Sequence, residues 1–448
     1  MKRKFLKRRN FLKSSIIGLS ALSFPNLVLS NSTTEYDVIV IGAGAAGLAA
    51  TSELRRAGGK SVICLEASDK IGGRVITDAK TFNEPYDTGA LWLSNGDSNP
   101  FKIFGENQTN LKLYKERSEE IYTVYNGNKK TSQENELWKL YDESEATIAK
   151  TRKDIAPIEV IKNQDHRWFN TAHLIIGPWE MGKDFSDYSC QDFNYEYDVI
   201  RSSDWHCEEG FGTLLTTMHK DTPVQLKTVV EEIDWSGTGV KVVTNKGIIS
   251  GKKCVITVSN GVLNSGQIKF TPNLPLEKQE AFSKISMGHS NRVALKFKKL
   301  FKKKSKDSYI YYKVDDDVKG SPAGIGITVK PSNTNLCICD FGGKFGLEMS
   351  KNGSEAAIDF ALNELIKIFG SKIKKDLIQS SFSDWSSNKN TYGAWASAEP
   401  GAFKYREILK QEIGERIYFA GEATANDWGT AAGAHNRGIE IAKKLIST

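Results

Sequence analysis

Apolar and polar positions near the start of the chain predict a strand, a tight turn and a helix. The segment YDVIVIGAGAAGLAATSEL (residues 36–54) begins with an unbroken apolar run at Val38–Ile41, passes through closely spaced glycines and ends in an alanine-rich stretch. A short apolar run that stops at glycine is typical of a buried strand. A second apolar run, SVICLEA, reaches Glu66, so residues 36–95 are expected to show strand, glycine turn, helix and strand character.

Patterns further along the chain predict both strands and helices. Residues 210–270 hold short β-rich runs separated by Gly and Asn turns. In GHSNRVALKF (residues 288–297) apolar and polar positions alternate, which predicts a half-buried strand with Arg292 on its polar face. The segment GSEAAIDFALNELIKIFG predicts an amphipathic helix that is capped by Ser354 and ends at Gly370. A strand in RIYFAGEAT and a helix rich in glycine and alanine close the chain.

Composition is typical of a soluble globular protein with more than one domain. The chain has 448 residues, of which 39% are hydrophobic and 26% charged, and this length favours two domains. The formal net charge is +7, but seven of the 61 lysines and arginines lie in residues 1–30, which contain no acid. The remaining 54 balance the 54 acidic residues, which argues against a nucleic-acid partner.

The basic N-terminal segment resembles a twin-arginine export signal. Arg8 and Arg9 precede a moderately apolar stretch of about the length of a signal-peptide core. Such signals address proteins that fold, often around a cofactor, before they cross the membrane. We therefore expect residues 1–34 to be a targeting segment for the twin-arginine export machinery and the protein to be periplasmic or exported. An uncleaved membrane anchor is the alternative, because no clear A-x-A cleavage site is present.

Three glycines after the first predicted strand fit a dinucleotide-binding turn. Gly42, Gly44 and Gly47 have the G-x-G-x-x-G spacing and open the predicted helix. Glycine at these positions permits a tight turn and lets a pyrophosphate approach N–H groups at the helix N-terminus. Glu66 follows at the end of the second predicted strand, where an acid accepts hydrogen bonds from an adenosine ribose. The motif by itself leaves NAD and FAD open.

Three further segments carry recognisable motifs: EASDKIGGRVITD (residues 66–78), DTGALWL (87–93) and RIYFAGEATANDWGTAAGAHNRG (416–438). These segments resemble the flavin-containing amine oxidase family, which includes monoamine and polyamine oxidases, L-amino-acid oxidases and flavin-dependent histone demethylases. The segments TVVEEIDWSGTGVKVVTN and FTPNLPLEKQEAFSKISMGHSNRVALKF are most similar to the polyamine oxidases. The resemblance implies FAD as the cofactor.

The resemblance also implies contacts to FAD at many positions. Arg74 would donate to the diphosphate, Val230 would contact the adenine through its backbone, and Glu422 would bind the ribityl and phosphate region. Thr430 and Ala431 would begin a helix whose N–H groups face the flavin pyrimidine. The full set of expected cofactor-binding residues is Gly42, Gly44, Ala46, Gly47, Glu66, Gly73, Arg74, Gly89, Ala90, Leu91, Val230, Glu422, Thr430 and Ala431.

The sequence departs from the family pattern at several positions near the expected substrate. Trp395 stands where the family places one wall of an aromatic cage for a neutral amine, and Thr430 replaces the aromatic residue of the opposite wall. Packing of Trp395 in the core is the alternative. Ala394 stands where monoamine oxidases carry the cysteine that bonds FAD, so a non-covalent FAD is expected. Ser94 stands where many polyamine oxidases have a histidine.

Arg292 stands where the family usually has a lysine near flavin N5. An arginine keeps the positive charge but does not release its proton near neutral pH. Three roles stay open for it: stabilising charge on the reduced flavin, holding a substrate carboxylate bidentately, or pairing with a nearby acid without a part in the chemistry. Arg292, Trp395 and Thr430 are therefore the candidate catalytic residues.

The fold implied by the resemblance is α/β, with a Rossmann-like FAD-binding domain and an inserted α+β substrate-binding domain. The FAD-binding domain would comprise residues 35–95, 206–285 and 405–448, and the substrate-binding domain residues 96–205 and 286–404. The implied reaction is oxidation of a primary or secondary amine (a polyamine, a monoamine or an amino acid) to an imine by hydride transfer to flavin N5, with reoxidation by O₂ to give H₂O₂. An amine dehydrogenase with another electron acceptor, a flavoprotein desaturase and a non-catalytic flavin-binding protein remain alternatives. The cysteine and histidine spacings predict no metal site.

Overall fold

The computed structural model describes residues 35–57, 59–116, 121–125, 128–129, 131–197, 202–299 and 307–447. The predicted targeting segment, residues 1–34, lies outside the described residues. Within these ranges, we find no helix with the length and apolar character needed to cross a membrane. From Glu35 onward the chain packs as one compact unit.

The helices of the described residues are α1 (Ala45–Arg56), α2 (Pro100–Gln108), α3 (Thr131–Lys150), α4 (Phe169–Leu174), α5 (Cys190–Tyr197), α6 (Phe211–Met218), α7 (Asn260–Asn264), α8 (Leu276–Lys284), α9 (Gly343–Phe369), α10 (Tyr405–Lys410) and α11 (Ala431–Ile446). The strands are β1 (Glu35–Ile41), β2 (Val62–Leu65), β3 (Thr77–Asp78), β4 (Tyr86–Asp87), β5 (Leu113–Lys115), β6 (Ile121–Tyr125), β7 (Asn128–Lys129), β8 (Trp205–Cys207), β9 (Val224–Gln225), β10 (Val230–Asp234), β11 (Val240–Thr244), β12 (Gly247–Ile256), β13 (Lys269–Thr271), β14 (Ile285–Met287), β15 (Ser290–Phe297), β16 (Ser308–Tyr312), β17 (Asp317–Val318), β18 (Ser321–Pro322), β19 (Gly326–Val329), β20 (Leu336–Gly342), β21 (Leu377–Ser383), β22 (Ala396–Ala398) and β23 (Ile417–Phe419).

An eight-stranded sheet carries the glycine motif. Its strand order is β13-β10-β11-β12-β1-β2-β9, with β23 paired to β12. β1 lies between β2 and β12 and runs parallel to both. Val38 and Val40 pack in the same core as α1 and α11, whereas Ile39 and Ile41 pack in the core on the other side. Because both faces of β1 are covered, its apolar run is unbroken, as expected for an interior parallel strand.

A seven-stranded sheet contains the strand that carries Arg292. Its order is β21-β15-β20-β19-β16-β6-β7, and β15 runs antiparallel to both of its neighbours. The prediction that β15 is half-buried was wrong. Val293 and Leu295 pack in the core that includes α9, and Ala294 packs on the opposite face with Phe82 and Tyr86, so both faces are covered.

The two sheets take their strands from different segments of the chain. The first sheet takes its strands from residues 35–65, 224–271 and 417–419, all within the segments expected to bind FAD. The second sheet takes its strands from residues 121–129 and 290–383, all within the segments expected to bind substrate. The α/β fold class is confirmed. The domain bounds stay a prediction, because both sheets belong to one compact unit.

Candidate active site

The turn between β1 and α1 accepts only glycine at two positions. Gly42 has a φ of +101°, and a Cβ on Gly47 would lie 1.9 Å from the Gly42 carbonyl oxygen. A second glycine segment meets this turn, since a Cβ on Gly73 would lie 3.1 Å from the Cα of Gly44. Together they form a backbone cradle at the N-terminus of α1, where free N–H groups and the helix dipole favour a phosphate.

Glu66 joins the end of β2 to this cradle. Its carboxylate accepts a hydrogen bond from the N–H of Ala43 at 2.7 Å and others from the N–H and hydroxyl of Ser68 at 2.9 and 2.8 Å. Glu66 also lines the cavity that runs past the turn. A carboxylate has about four lone-pair positions, so Glu66 can support the turn and still accept from a ribose hydroxyl.

Arg74 and Glu422 connect segments that are far apart in the sequence. Arg74 Nη1 donates to Oε1 of Glu422 at 3.0 Å and also to the carbonyl oxygen of Ala394. Glu422 accepts further hydrogen bonds from the N–H groups of Ala396 at 3.2 Å and Gly429 at 3.3 Å. The buried Glu422 thereby fixes three segments around the same space.

One cavity of about 740 Å³ collects nearly all the predicted site residues. Those lining it are Gly42, Gly44, Ala46, Glu66, Gly73, Arg74, Gly89, Ala90, Leu91, Val230, Arg292, Trp395, Glu422, Thr430 and Ala431. Gly47 is not among the lining residues, because it lies behind the turn against the carbonyl of Gly42. Gly47 therefore permits the turn rather than contacting a ligand.

The N-terminus of α11 opens on this cavity beside Trp395. A Cβ on Gly429 would lie 3.5 Å from the Trp395 ring, which places the half-buried indole against the start of the helix. Thr430 caps the helix: its hydroxyl accepts from the N–H of Gly433 at 2.9 Å and donates to the carbonyl of Asp427 at 2.8 Å. Trp395 and Thr430 thus lie at the same end of the cavity, but the Thr430 hydroxyl is engaged by the helix.

Arg292 is buried and held on several sides. Its Nε and Nη2 donate to the two carboxylate oxygens of Asp340 at 2.7 and 3.3 Å. Its Nη1 donates to the carbonyl oxygens of Asp87 and Gly89, each at 2.8 Å. Burial by itself lowers the pKa of Arg292, but the charge of Asp340 outweighs it and raises the pKa above the ordinary value. The acid pairing left open by the sequence is present, and it ties Arg292 to the segment that passes Gly89.

Sequence analysis missed a group of carboxylates and rings in the same cavity. Glu116 and Asp204 line it. Glu116 accepts a hydrogen bond from the Tyr309 hydroxyl, which itself accepts one from Trp92 Nε1 at 3.3 Å. Nε2 of His206 lies 3.7 Å from the other oxygen of Glu116. We call Glu116, Asp204 and His206 the first acidic cluster.

Burial and charge shift the pKa values within the first acidic cluster in different directions. Burial, reinforced by the charge of Glu116, raises the pKa of Asp204 to about 6. Burial also acts to raise the pKa of Glu116, but the interaction with His206 outweighs it and lowers that pKa. For His206, burial acts to lower the pKa, and the nearby carboxylates, Glu116 foremost, raise it above its ordinary value. The cluster therefore carries net negative charge at neutral pH.

A second acidic cluster consists of Tyr141, Glu145 and Glu180. The Tyr141 hydroxyl donates to Glu145 at 3.0 Å and lies within hydrogen-bond distance of Glu180 at 3.3 Å. Both glutamates line the cavity. Burial raises the pKa of Glu145. The cavity thus has carboxylates at two separate places.

A row of aromatic rings connects the two acidic clusters. From Tyr309 the ring centroids step to Trp179 at 5.9 Å and from there to Tyr311 at 5.9 Å. The row continues to Trp138 at 4.9 Å and on to Tyr141 at 5.4 Å. These spacings are those of edge-to-face and tilted aromatic pairs. The cavity is also lined by Tyr309, Trp179 and Tyr311, so aromatic rings lie between the two groups of carboxylates in its wall.

The acidic clusters have no sequence motif. Their members lie on β8, directly after β5 or before β8, on the long helix α3, and next to a π-helical turn at Ile175–Trp179. All six fall between residues 101 and 207, where the sequence shows helical spacing at Leu137, Leu140, Tyr141 and Ile148 and otherwise a mixture of charged, polar and aromatic residues. Nothing in that mixture indicates which carboxylates meet, so the cavity wall could not be derived from it.

Comparison with known proteins matches this chain to one family along most of its length. The family described as flavin containing amine oxidoreductase matches residues 45–160 and 139–446. Polyamine oxidase 3 of Oryza sativa subsp. japonica is 28% identical, with 91% of this chain and 88% of that protein aligned. Polyamine oxidase 2 of Arabidopsis thaliana is also 28% identical, over 92% of this chain and 88% of that protein. Lysine-specific histone demethylase 1 homolog 3 of Oryza sativa subsp. japonica is 26% identical over 92% of this chain and 54% of that protein.

Solved structures show the same fold. A wild-type putrescine oxidase bound to putrescine superposes with a TM-score of 0.73 at 19% identity, covering 92% of this chain and 99% of that one. A double mutant from a redesign of cofactor binding in putrescine oxidase gives a TM-score of 0.75 at 20% identity, with the same coverage. At this identity the similarity establishes the fold and does not identify the substrate.

Proposed function

The chain belongs to the flavin containing amine oxidoreductase family and is an FAD-dependent amine oxidase, and from this premise we propose that it oxidises a linear diamine or polyamine. The observation that carries the proposal is the cavity wall, where two acidic clusters are joined by aromatic rings. Carboxylates attract ammonium groups, and aromatic faces attract cations and pack against methylene chains. The curated relatives named polyamine oxidases support the same substrate class.

The residues of the dinucleotide end fit FAD. The glycine cradle has no room for a side chain at Gly47. At Gly73 the backbone comes close to the turn, and such close-packed glycines let a diphosphate approach the backbone. Glu66 can accept from the adenosine ribose, and the N-terminus of α11 can stabilise negative charge near Thr430. Bound FAD supplies the acceptor for the hydride that leaves the amine carbon. Holding and orienting the amine falls to the protein.

The chain's own groups would select a substrate with more than one amine. A carboxylate cluster can bind the ammonium group that is not oxidised, while the rings between the clusters line the carbon chain and exclude water. Orientation matters because misplacement by about 1 Å costs roughly 10²-fold in rate. The half-buried Trp395 would form one wall beside the amine that reacts. These roles follow from the charge and shape of the wall.

An amino-acid substrate is disfavoured by the same cavity. The guanidinium of Arg292, which could have held a substrate carboxylate, already binds Asp340 and two backbone carbonyls. A free carboxylate would also face the charges of Glu116 and Asp204. Like charges in a partly buried site repel one another. We infer that a polycation fits this cavity and a zwitterion does not.

We further propose that FAD is bound without a covalent bond and that O₂ is the electron acceptor. Ala394, which lines the cavity, has no nucleophile on its side chain. Acid precipitation should therefore release the yellow colour into the supernatant, and colour retained in the pellet would contradict the proposal. Stoichiometric H₂O₂ production in aerated buffer tests the acceptor. Turnover that needs an added dye or quinone would favour the dehydrogenase instead.

Anaerobic bleaching of the flavin tests the substrate class. Putrescine, spermidine and spermine should bleach the holoenzyme faster and at lower concentration than benzylamine or L-leucine. Glu116→Gln should weaken the response to polyamines, whereas Glu355→Gln, which removes an exposed carboxylate from α9, should not. Preference for benzylamine or L-leucine would overturn the proposed substrate class, and the absence of bleaching by any amine would contradict amine oxidation itself.

We also propose that residues 1–34 direct twin-arginine export to the periplasm. Support comes from Arg8 and Arg9 followed by an apolar stretch. The double variant Arg8→Lys/Arg9→Lys keeps both positive charges and should retain folded, FAD-containing protein in the cytoplasm. Arg3→Lys makes the same change outside the pair and is the matched control, which should still be exported. Cell fractionation measures the outcome. Export of the double variant at the wild-type rate, or wild-type protein that stays cytoplasmic, would reject this proposal.

A further inference from the structure

Within the first acidic cluster, His206 lies behind Glu116 and does not reach the cavity. It is 1% exposed and sits on β8, opposite Tyr114 on β5. Its ring stacks on that tyrosine, with centroids 5.3 Å apart and planes 25° apart. Glu116 lines the cavity, whereas His206 is absent from the lining residues. A substrate in the cavity would therefore meet Glu116 and not the imidazole.

The imidazole is buried among carboxylates and poorly bonded. Neither ring nitrogen has a hydrogen-bond partner among the described residues, and Nε2 lies 3.7 Å from the Glu116 carboxylate. Buried polar groups in folded proteins are nearly always hydrogen-bonded, so two unbonded nitrogens in one ring require an explanation. The charged groups that act on the ring from surrounding elements are Glu116 on the β5 side, Asp204 at the start of β8 and Asp307 before β16.

We propose that His206 is a positioning residue that sets the charge presented by Glu116 to the amine. When the imidazole is protonated it pairs with Glu116 and offsets that carboxylate. When it is neutral, Glu116 acts on the cavity with its full charge, and Tyr309 still donates to it from the other side. This inference rests on the proposed polyamine substrate. It adds a titrating group, His206, that does not contact the substrate.

The sign of the pH dependence follows from this arrangement. Nearby carboxylates raise the pKa of His206 above its ordinary value of 6.5. As pH rises through that raised pKa the ring loses its charge, so cation binding should strengthen above neutral pH. Asp204, with a pKa of about 6, ionises at lower pH and also strengthens cation binding. The variants Asp204→Asn and His206→Gln separate the two contributions.

A ligand with fixed charge isolates the effect. Hexamethonium is a dication whose two nitrogens are quaternary, so neither nitrogen titrates. Because neither nitrogen carries a hydrogen, it is not a primary or secondary amine that could be oxidised to an imine. Its Kd for the holoenzyme, measured by perturbation of the flavin spectrum, should fall about three- to tenfold between pH 7 and 9, the size expected for one screened charge nearby. In His206→Gln the Kd should be flat across this range. Asp204→Asn should keep the step above pH 7 and lose the step near pH 6.

An NMR titration gives a second measurement that needs no variant of His206. Glu116→Gln removes the anion facing the ring, so the pKa of the His206 imidazole, followed by ¹³C-labelled histidine signals, should fall. An unchanged His206 pKa in Glu116→Gln, or a wild-type step that persists in His206→Gln, would overturn the inference. If hexamethonium shows the step but no amine bleaches the flavin, the proposed function fails and the role of His206 stands. If polyamines bleach the flavin and the step is missing, only the role of His206 fails.

Discussion

The dinucleotide end of the cavity and its amine end are built from different parts of the chain. At the dinucleotide end, backbone atoms of the Gly42–Gly47 turn and of Gly73 form the surface, and a Cβ added at Gly47 would lie 1.9 Å from the backbone oxygen of Gly42. At the amine end, carboxylates and rings from distant segments form the wall. A backbone surface admits few residue types and so produces a recognisable motif. A side-chain surface can be assembled from many combinations and produces none.

Arg292 lies between these two ends. It belongs to a strand of the second sheet, yet it donates to the carbonyls of Asp87 and Gly89, in the segment where Gly89, Ala90 and Leu91 are expected to contact FAD. Its partner Asp340 lies on the neighbouring strand β20. The pair therefore connects the sheet of the substrate side to a loop of the cofactor side.

The largest effect is expected from Gly47→Ala. The new Cβ would lie 1.9 Å from the Gly42 carbonyl oxygen, so the turn must shift, with a loss of about 3 kcal/mol or more and loss of bound FAD. Gly44→Ala is the matched control, because its Cβ would be 3.9 Å from the nearest atom. That variant should keep the Tm of the apoprotein and lose only FAD affinity. Wild-type Tm and FAD content in Gly47→Ala would show that the turn is more tolerant than its geometry indicates.

Arg292→Met should be the next most damaging change. It leaves Asp340 buried without its partner, and breaking a buried ion pair in this way costs about 3–5 kcal/mol. Urea unfolding of the holoenzyme measures the loss, and Arg292→Met/Asp340→Met should recover part of it. Full stability combined with slow flavin reduction in Arg292→Met would instead place Arg292 in the chemistry.

Asp204→Asn should affect the amine end alone. Loss of one charged partner for an ammonium group weakens binding by about 1.5–3 kcal/mol, which corresponds to roughly a 10- to 100-fold rise in KM for a diamine. We expect kcat and FAD content to change little, because the residue lines the cavity but is not among the residues expected to bind FAD. Steady-state kinetics with putrescine gives both constants. A fall in kcat with unchanged KM would assign Asp204 a role in the reaction rather than in binding.

The smallest effect is expected at the helix cap. Thr430→Ala removes the acceptor for the Gly433 N–H and should lower stability by about 1 kcal/mol, whereas Thr430→Ser keeps the hydroxyl and most of that stability. Thermal unfolding compares the two variants. If Thr430→Ser kept its stability but lost activity, the methyl group of Thr430 rather than the helix cap would be its important feature in the cavity wall.

Sequence analysis predicted the cofactor side well because its signals are local. The apolar run of β1, the glycines behind it and Glu66 all lie within residues 36–66, and the structure places them as one βαβ unit. The helix expected from Ser354 is also present, separated from an earlier helical stretch by Gly353 at a φ of +87°. The expectation for β15 failed, because alternation did not reveal that Phe82 covers its second face.

By itself, the sequence determined the family, the cofactor and the position of the dinucleotide turn. Each depends on residues close in the chain, or on positions where backbone contact permits one residue type. Only the tertiary structure decided that Arg292 pairs with Asp340 and that Glu116, Asp204 and His206 meet in one place. Those encounters depend on how distant strands align, and neither charge nor spacing along the chain specifies such an alignment.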